Sequence, residues 1–298
     1  MQLVERGIIQ LDDDVSQYIP ELAGQPIFEG FSISGEPILK PHVNNLIFKH
    51  LLTHSAGALY SSMNPDLQKY IEANGLQSNP ATVAGNFSYP LVYEPGTSWN
   101  YSTSIDWAGL VIERITGLSL EIYMKQNIFS PLGITSISFF PSPSTIPSYT
   151  SRRAGMTTRD PATGKLHPSA GAFSDKAEHC FGGHGAFLDV TDYAKVLESL
   201  MKNDERILSK ASVEEMFRPQ LTARSKEALN KAKRVPEKVL QYVGDLPAEV
   251  EYDWGIGGIL TCTDEVEGER RRRKGTLIWS GMPNLYWVNE TLTLFHFI

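Results

Sequence analysis

A tyrosine on a turn just ahead of a helix is a residue in a setting that can move protons. Tyr101 stands at the end of Tyr93-Glu-Pro-Gly-Thr-Ser-Trp-Asn-Tyr-Ser102, where Pro95-Gly96 marks the turn. A phenol held close to a lysine ammonium favours its phenolate form and can serve as a general base. The alternative is a buried ring with a satisfied hydroxyl, and local sequence alone favours that reading. Trp279-Ser280-Gly281 is the second candidate. A glycine inside an extended run marks either the close approach of a ligand or backbone, or a bulge. The pair that would activate a serine nucleophile, Ser-x-x-Lys, occurs once, as Ser199-Leu-Met-Lys202. It falls at the end of its predicted helix, where no free backbone N–H groups surround the serine, and it reads as chance.

Other reactive side chains are weaker candidates. His50 and His54 are four residues apart on one predicted helix, but no glutamate follows His50 and no third metal ligand is evident, so both read as core or capping histidines. His179, Cys180 and His184 lie among glycines that suggest a tight turn rather than zinc. Arg270 to Lys274 form a basic run directly after Asp264, Glu265, Glu267 and Glu269, the pattern of a solvated hairpin tip. There is no GxSxG elbow, Walker loop, GxGxxG or HExxH. Neither a metal nor an organic cofactor is expected.

These residues need elements to position them. Met1, Leu3, Val4, Ile8 and Ile9 recur at helical spacing up to Gly7 and beyond with no capping residue ahead, so MQLVERGIIQLDDDV reads as the back of a longer helix and a turn. Residues 24–45 suggest a loop or weak hairpin. A helix follows with Asn44 or Asn45 as its cap, and another runs from the Asn64 cap through Pro65 to Gly75. The spacing predicts a helix over Ile105 to Thr116 ended by Gly117, and one capped by Ser119 through Asn127. Residues 131–180 read as long irregular surface with a few short strands. A glycine turn at residues 181–185 precedes a helix from Thr191 to Met201. Ser212-Val-Glu-Glu215 resembles a capping box that opens a helix, and residues 222–239 suggest an exposed helix interrupted at Pro236. Two extended runs, Gly275 to Met282 and Leu285 to Ile298, form an antiparallel hairpin turning at Pro283-Asn284. Helices in the middle and strands at the end make an α+β pattern.

Composition sets limits. The 298 residues carry a net charge of −7, which argues against a nucleic-acid surface as the main role. No apolar run reaches membrane-spanning length. Two cysteines, Cys180 and Cys262, make no disulfide framework and fit a reducing, cytoplasmic setting.

Taken together, these segments resemble the serine β-lactamase-like family: class C β-lactamases, penicillin-binding-protein-like peptidases, esterases and fungal acyltransferases. The likeness rests on His50-Leu-Leu-Thr-His-Ser-Ala-Gly57, the Tyr93–Ser102 run, Ile105-Asp-Trp-Ala-Gly109 with Ile115-Thr-Gly117, Pro131-Leu-Gly133, Gly182-Gly-His-Gly185 and Trp279-Ser-Gly281. The wording is most similar to the fungal acyltransferase and esterase branch. The resemblance implies a single α+β domain over 1–298, with an antiparallel sheet flanked by helices and a mostly helical subdomain. It also implies a shortening at both ends, without the first strands and the closing element. It makes Tyr101 the shared catalytic base, with Trp279, Ser280, Gly281, Trp99 and Ser102 on the substrate side. The implied chemistry is acyl transfer or ester hydrolysis on a secondary-metabolite-type small molecule through a serine acyl-enzyme, with an acyl donor and an acceptor as partners. The family's Ser-x-x-Lys would fall about ten residues before Met1, roughly three helical turns. The chain as written is therefore expected to be inactive. A non-catalytic binding or regulatory remnant of the same fold is the alternative.

Overall fold

In a computed structural model the described residues are 1–77, 79–169, 177–234, 246–265, 272–281, 284–289 and 294–297, with side chains described as far as Trp279. The chain opens with two short helices, α1 (Gln2–Glu5) and α2 (Pro20–Ala23). Gly7 adopts φ +68° directly after α1, which stops it. The weak hairpin expected over residues 24–45 forms as β1 (Ile27–Phe31) against β2 (Pro37–Lys40).

The helical half continues with α3 (Phe48–Leu52), α4 (Pro65–Asn74), α5 (Val83–Phe87), α6 (Ser104–Thr116) and α7 (Leu120–Met124). The stop and start signals of α4 act as read. Asn64 accepts the Leu67 N–H at 3.0 Å, and Gly75 closes the helix at φ +61°. Gly117 ends α6 at φ +69°, and the Ser119 side chain accepts the Ile122 N–H ahead of α7. That helix is shorter than expected, because a π-turn takes over at Lys125–Phe129.

Two caps differ from the sequence reading. α3 starts after Ile47 with no side-chain cap. Asn44 instead turns its Nδ2 to the Pro95 carbonyl, while its own N–H donates to Glu94, tying the segment before α3 to the turn before Tyr101. After α8 (Tyr149–Arg152), the hairpin β3 (Met156–Arg159) with β4 (Leu166–Ser169), and α9 (Val190–Lys202), helix α10 spans Lys210–Met216. Its cap is Ser209, whose hydroxyl accepts the Ser212 N–H at 3.3 Å. Ser212 lies inside the helix, so the expected capping box is displaced by one turn. The last helix among the described residues is α11 (Ala223–Ala232); Pro236 lies outside them.

The C-terminal half is a five-stranded antiparallel sheet in sequential order: β5 (Tyr252–Gly255), β6 (Gly258–Thr261), β7 (Thr276–Gly281), β8 (Asn284–Asn289) and β9 (Leu294–Phe297). The expected hairpin is present as β7 with β8, in a register that sets Trp279 opposite Tyr286 and Gly281 opposite Asn284. Asn284 is thus a strand residue rather than a turn residue, and Pro283 lies outside the described residues. The run from Leu285 divides into β8 and β9, which pair with each other. The β5–β6 pair was not foreseen; Gly255, Gly257 and Gly258 lie in or between its strands. Two of them are packing requirements: a Cβ on Gly255 would stand 2.4 Å from the Met216 carbonyl, and one on Gly258 2.7 Å from that of Ile278. The basic run is not simply a solvated tip either. Arg272 is buried and pairs with buried Glu265 at 2.9 Å.

Two cores result. The helical core gathers Leu3, Ile19, Leu46, Leu51, Leu67, Ile71, Leu91, Trp107 and Val111. The sheet core gathers Leu229, Val250, Tyr252, Trp254, Ile259 and Ile278, with Trp99 reaching in from the helical half. Residues 99–103 join the two. Among the described residues no helix is long and apolar enough to cross a membrane.

A cap that accepts a helix N–H is worth about 1 kcal/mol. Asn64→Ala should therefore lower unfolding stability by about that much, whereas exposed, non-capping Asn45→Ala should stay within about 0.5 kcal/mol of wild type in urea titrations.

Candidate active site

The site is built where residues 54–60 lie alongside residues 91–104. The Val92 N–H donates to the Gly57 carbonyl, that of Thr103 to Ala58, and that of Asn100 to His54, while Leu59 and Ser102 form an antiparallel bridge. Gly57 permits this approach. Its φ is +90°, and a Cβ there would stand 2.5 Å from the Tyr93 carbonyl oxygen.

His54 is not on a helix with His50. α3 ends at Leu52, and His54 takes φ +56°, a left-handed conformation uncommon for a side chain of this size. That turn aims its ring into an aromatic cluster. Its centroid lies 5.0 Å from Tyr101, 5.0 Å from Trp254 and 5.9 Å from Trp279. Tyr101 lies 4.9 Å from Trp279, and Trp254 lies 5.0 Å from Trp279 and 5.3 Å from Trp99. Such separations suit edge-on and offset aromatic packing. The Nδ1 of His54 meets the Ser102 hydroxyl at 2.9 Å, and that hydroxyl meets Ser104 at 2.7 Å. Burial holds the imidazole neutral, with its pKa lowered to about 3 despite the hydrogen bond at Ser102.

A polar cluster lies behind Tyr101. Tyr60 has its ring 5.4 Å from Tyr101 and donates its hydroxyl to Asp106 Oδ2 at 3.2 Å. Asp106, in the first turn of α6, has no exposed surface. Its Oδ1 accepts the Gly183 N–H at 2.9 Å, and His184 Nδ1 lies 3.5 Å from the same oxygen. Burial pushes the carboxyl up to about 7, against hydrogen bonds from Gly183 and Tyr60 that pull it down. Burial also lowers the His184 pKa, which disfavours a charged imidazolium beside this carboxyl.

Of the residues singled out from the sequence, Tyr101, Trp279 and Trp99 come together in one aromatic cluster. Tyr101 and Trp279 are half-buried, and Trp99 is buried against Trp254. Ser102 adjoins them, but its hydroxyl is buried and engaged with His54 and Ser104. Ser280 and Gly281 continue β7 from Trp279, paired with Leu285 and Asn284. Sequence reasoning gave no site role to His54, Tyr60, Trp254 or Asp106. Two of them lay inside segments already singled out, His54 in the run ending at Gly57 and Asp106 in Ile105–Gly109. Trp254 gave no signal, since its strand was not anticipated. Ser199 is buried, with its hydroxyl on Asp204 at 2.6 Å, in keeping with a chance Ser-x-x-Lys. Among the described residues no group of three or more His, Cys, Asp or Glu side chains could hold a metal ion.

This arrangement sets the chain among known proteins. Residues 1–259 match the β-lactamase family model. Monacolin J acid methylbutanoyltransferase of Aspergillus terreus is 37% identical over 289 residues, spanning 96% of this chain and 69% of that protein. Lovastatin esterase of Penicillium rubens is 36% identical over 291 residues, spanning 96% of this chain and 71% of that protein. Unliganded simvastatin synthase of Aspergillus terreus superposes with a TM-score of 0.85 at 35% identity, covering 99% of this chain and 72% of that one. The chain belongs to the β-lactamase family and has its α+β fold. Its relatives include fungal acyltransferases and an esterase.

Asp106 gives the site a pH signature. A carboxyl that titrates at about 7 when folded, against 3.8 when exposed, stabilises the fold most below pH 4 and loses that contribution as pH rises through 7. His54 acts in the opposite sense, losing stability as pH falls below 6.5. Comparison with Asp106→Asn isolates the carboxyl. The stability of wild type relative to this variant should fall by more than about 1 kcal/mol between pH 5 and pH 8, measured by urea denaturation. A constant difference would contradict the assigned environment.

Proposed function

We propose that this chain supplies the base and the substrate wall of an acyl-serine site that handles small-molecule acyl groups. The observation that carries the reading is the 4.9 Å contact between Tyr101 and Trp279, which joins the tyrosine turn to the third strand of the sheet. In this reading Tyr101 moves the proton of the attacking and leaving oxygens. Trp279 and Trp99 wall the acyl chain, Ser102 orders the turn through His54, and the β7 backbone at Ser280-Gly281 lies on the oxyanion side. The cycle is ping-pong: a serine hydroxyl attacks the ester carbonyl, the alcohol leaves with a proton, and a second alcohol or water takes the acyl group and gives its proton back. The fungal relatives, a methylbutanoyltransferase and an esterase, support a small-molecule acyl donor and acceptor.

The covalent step needs a serine with a lysine three residues on at a helix start. Within these 298 residues Ser199-Leu-Met-Lys202 is the one such spacing, and it sits in the last turn of α9. The chain by itself is therefore read as binding an ester without turning it over, which is where the binding-remnant reading and the enzyme reading meet.

A chromogenic ester separates them. The chain and its Tyr101→Phe variant should hydrolyse it at the same background rate, while the ester quenches indole fluorescence in a manner that Trp279→Ala weakens. Placing a Ser-x-x-Lys helix ahead of Met1 should create turnover that Tyr101→Phe lowers about 10²–10⁴-fold. Turnover by the chain alone above that of Tyr101→Phe would defeat the inert reading. A fusion that binds ester yet is indifferent to Tyr101 would remove the base assignment.

A further inference from the structure

The turn that delivers Trp99 and Tyr101 is tied to the helical half through its backbone. The Gly96 N–H donates to the Ser55 carbonyl at 2.9 Å, and the Pro95 carbonyl accepts Asn44 Nδ2 at 2.9 Å. Gly96 takes φ +79°, and a Cβ there would stand 2.6 Å from His50 Nε2, so glycine lets the turn lie against α3. The Gly96 carbonyl meets a different partner, the start of α11. Thr222 Oγ1 donates to it at 2.7 Å and the buried Ser225 Oγ at 3.1 Å, which occupies both lone pairs of one oxygen.

Helix α11 is in turn fixed to the sheet. The Asn230 side chain accepts the Tyr252 N–H at 3.1 Å and donates to the Tyr252 carbonyl at 2.7 Å. Just ahead of Thr222, the N–H groups of Gln220 and Leu221 both donate to Asp253 Oδ1 at 3.0 Å. Tyr252 and Asp253 belong to β5, whose next residue, Trp254, packs on Trp99 and Trp279. The two hydroxyls thus bridge the sheet half to the turn that leads into Tyr101. Capping α11 does not require this. Thr222 accepts the Ser225 N–H at 3.2 Å, and a cap needs an acceptor there, not a donor, and no hydroxyl at 225.

We propose that Thr222 and Ser225 are positioning residues that hold the tyrosine turn to the sheet and so keep Tyr101 against Trp279. The proposal rests on the reading of these two rings as base and substrate wall, but its test reads their contact and not turnover. The full chain carries ring-labelled tyrosine and tryptophan, and the signals lost in Tyr101→Phe, Tyr60→Phe and Trp279→Phe identify the three rings. Two nuclear Overhauser effects are then compared: Tyr101 with Trp279, across the seam, and Tyr101 with Tyr60, within the helical half. The test variant combines Thr222→Asp, which can still cap but cannot donate, with Ser225→Ala, which suits a helix interior. It should lose the Tyr101–Trp279 effect and keep the Tyr101–Tyr60 effect, while Thr222→Ser, which keeps the donor, should retain both. A role confined to α11 predicts that both effects survive in the test variant, and that result would overturn the proposal. So would equal loss of the two, which reports general loosening. Should the combined variant fail to fold, Ser225→Ala decides by itself, because an unweakened Tyr101–Trp279 effect then removes the bridge. Selective loss together with a fusion indifferent to Tyr101 would keep this bridge and fail only the assignment of the base.

Discussion

The close approach of residues 54–60 to residues 91–104 is the constraint on which the rest depends. It is held by backbone hydrogen bonds from Val92, Asn100 and Thr103, and it exists because Gly57 lets two backbones approach more closely than any side chain would allow. One strand of this contact carries His54 and Tyr60, and the other carries Trp99, Tyr101 and Ser102. The start of α6 follows directly, so Asp106 is placed by the same few residues. Separate the two segments and the base, the ring that packs on it and the hydroxyl behind it are no longer neighbours.

The sheet joins this arrangement through aromatic surface. β7 alternates Ile278 into the sheet core and Trp279 toward Tyr101, while β5 contributes Trp254 between His54 and Trp99. The site is therefore a seam between two cores, not a pocket cut into one. Burial at that seam explains its electrostatics. The same desolvation that holds His54 neutral raises Asp106, and among the described residues neither is paired with a lysine or arginine. The polar groups are organised by hydrogen bonds, which makes the identity of each partner matter more than net charge.

Much of the fold was legible because its signals are local. Asn64 with Pro65 and Gly75 bounds α4, Gly117 bounds α6, and the β-branched and aromatic run after Gly275 forms strand. The readings that failed did so where a tertiary contact outweighed a local preference. Asn44 gave up a cap to hold the Pro95 turn, and Ser209 capped α10 in place of Ser212. Gly255 and Gly258 in β5 and β6 are set by packing against Met216 and Ile278, not by any local signal. His54 looked like the second member of a helical pair, and its left-handed backbone depends on partners nearly fifty residues away.

Residue types and order by themselves determined the family likeness, the α+β class and the two segments that carry Tyr101 and Trp279, because motif residues and turn glycines act over a few positions. Only the tertiary structure decided that those segments touch, that His54, Trp254 and Tyr60 surround the phenol, and that Asp106 lies behind it. The physical reason is that aromatic packing and buried hydrogen bonds are set by distances between residues far apart in the chain, and no local pattern encodes those distances.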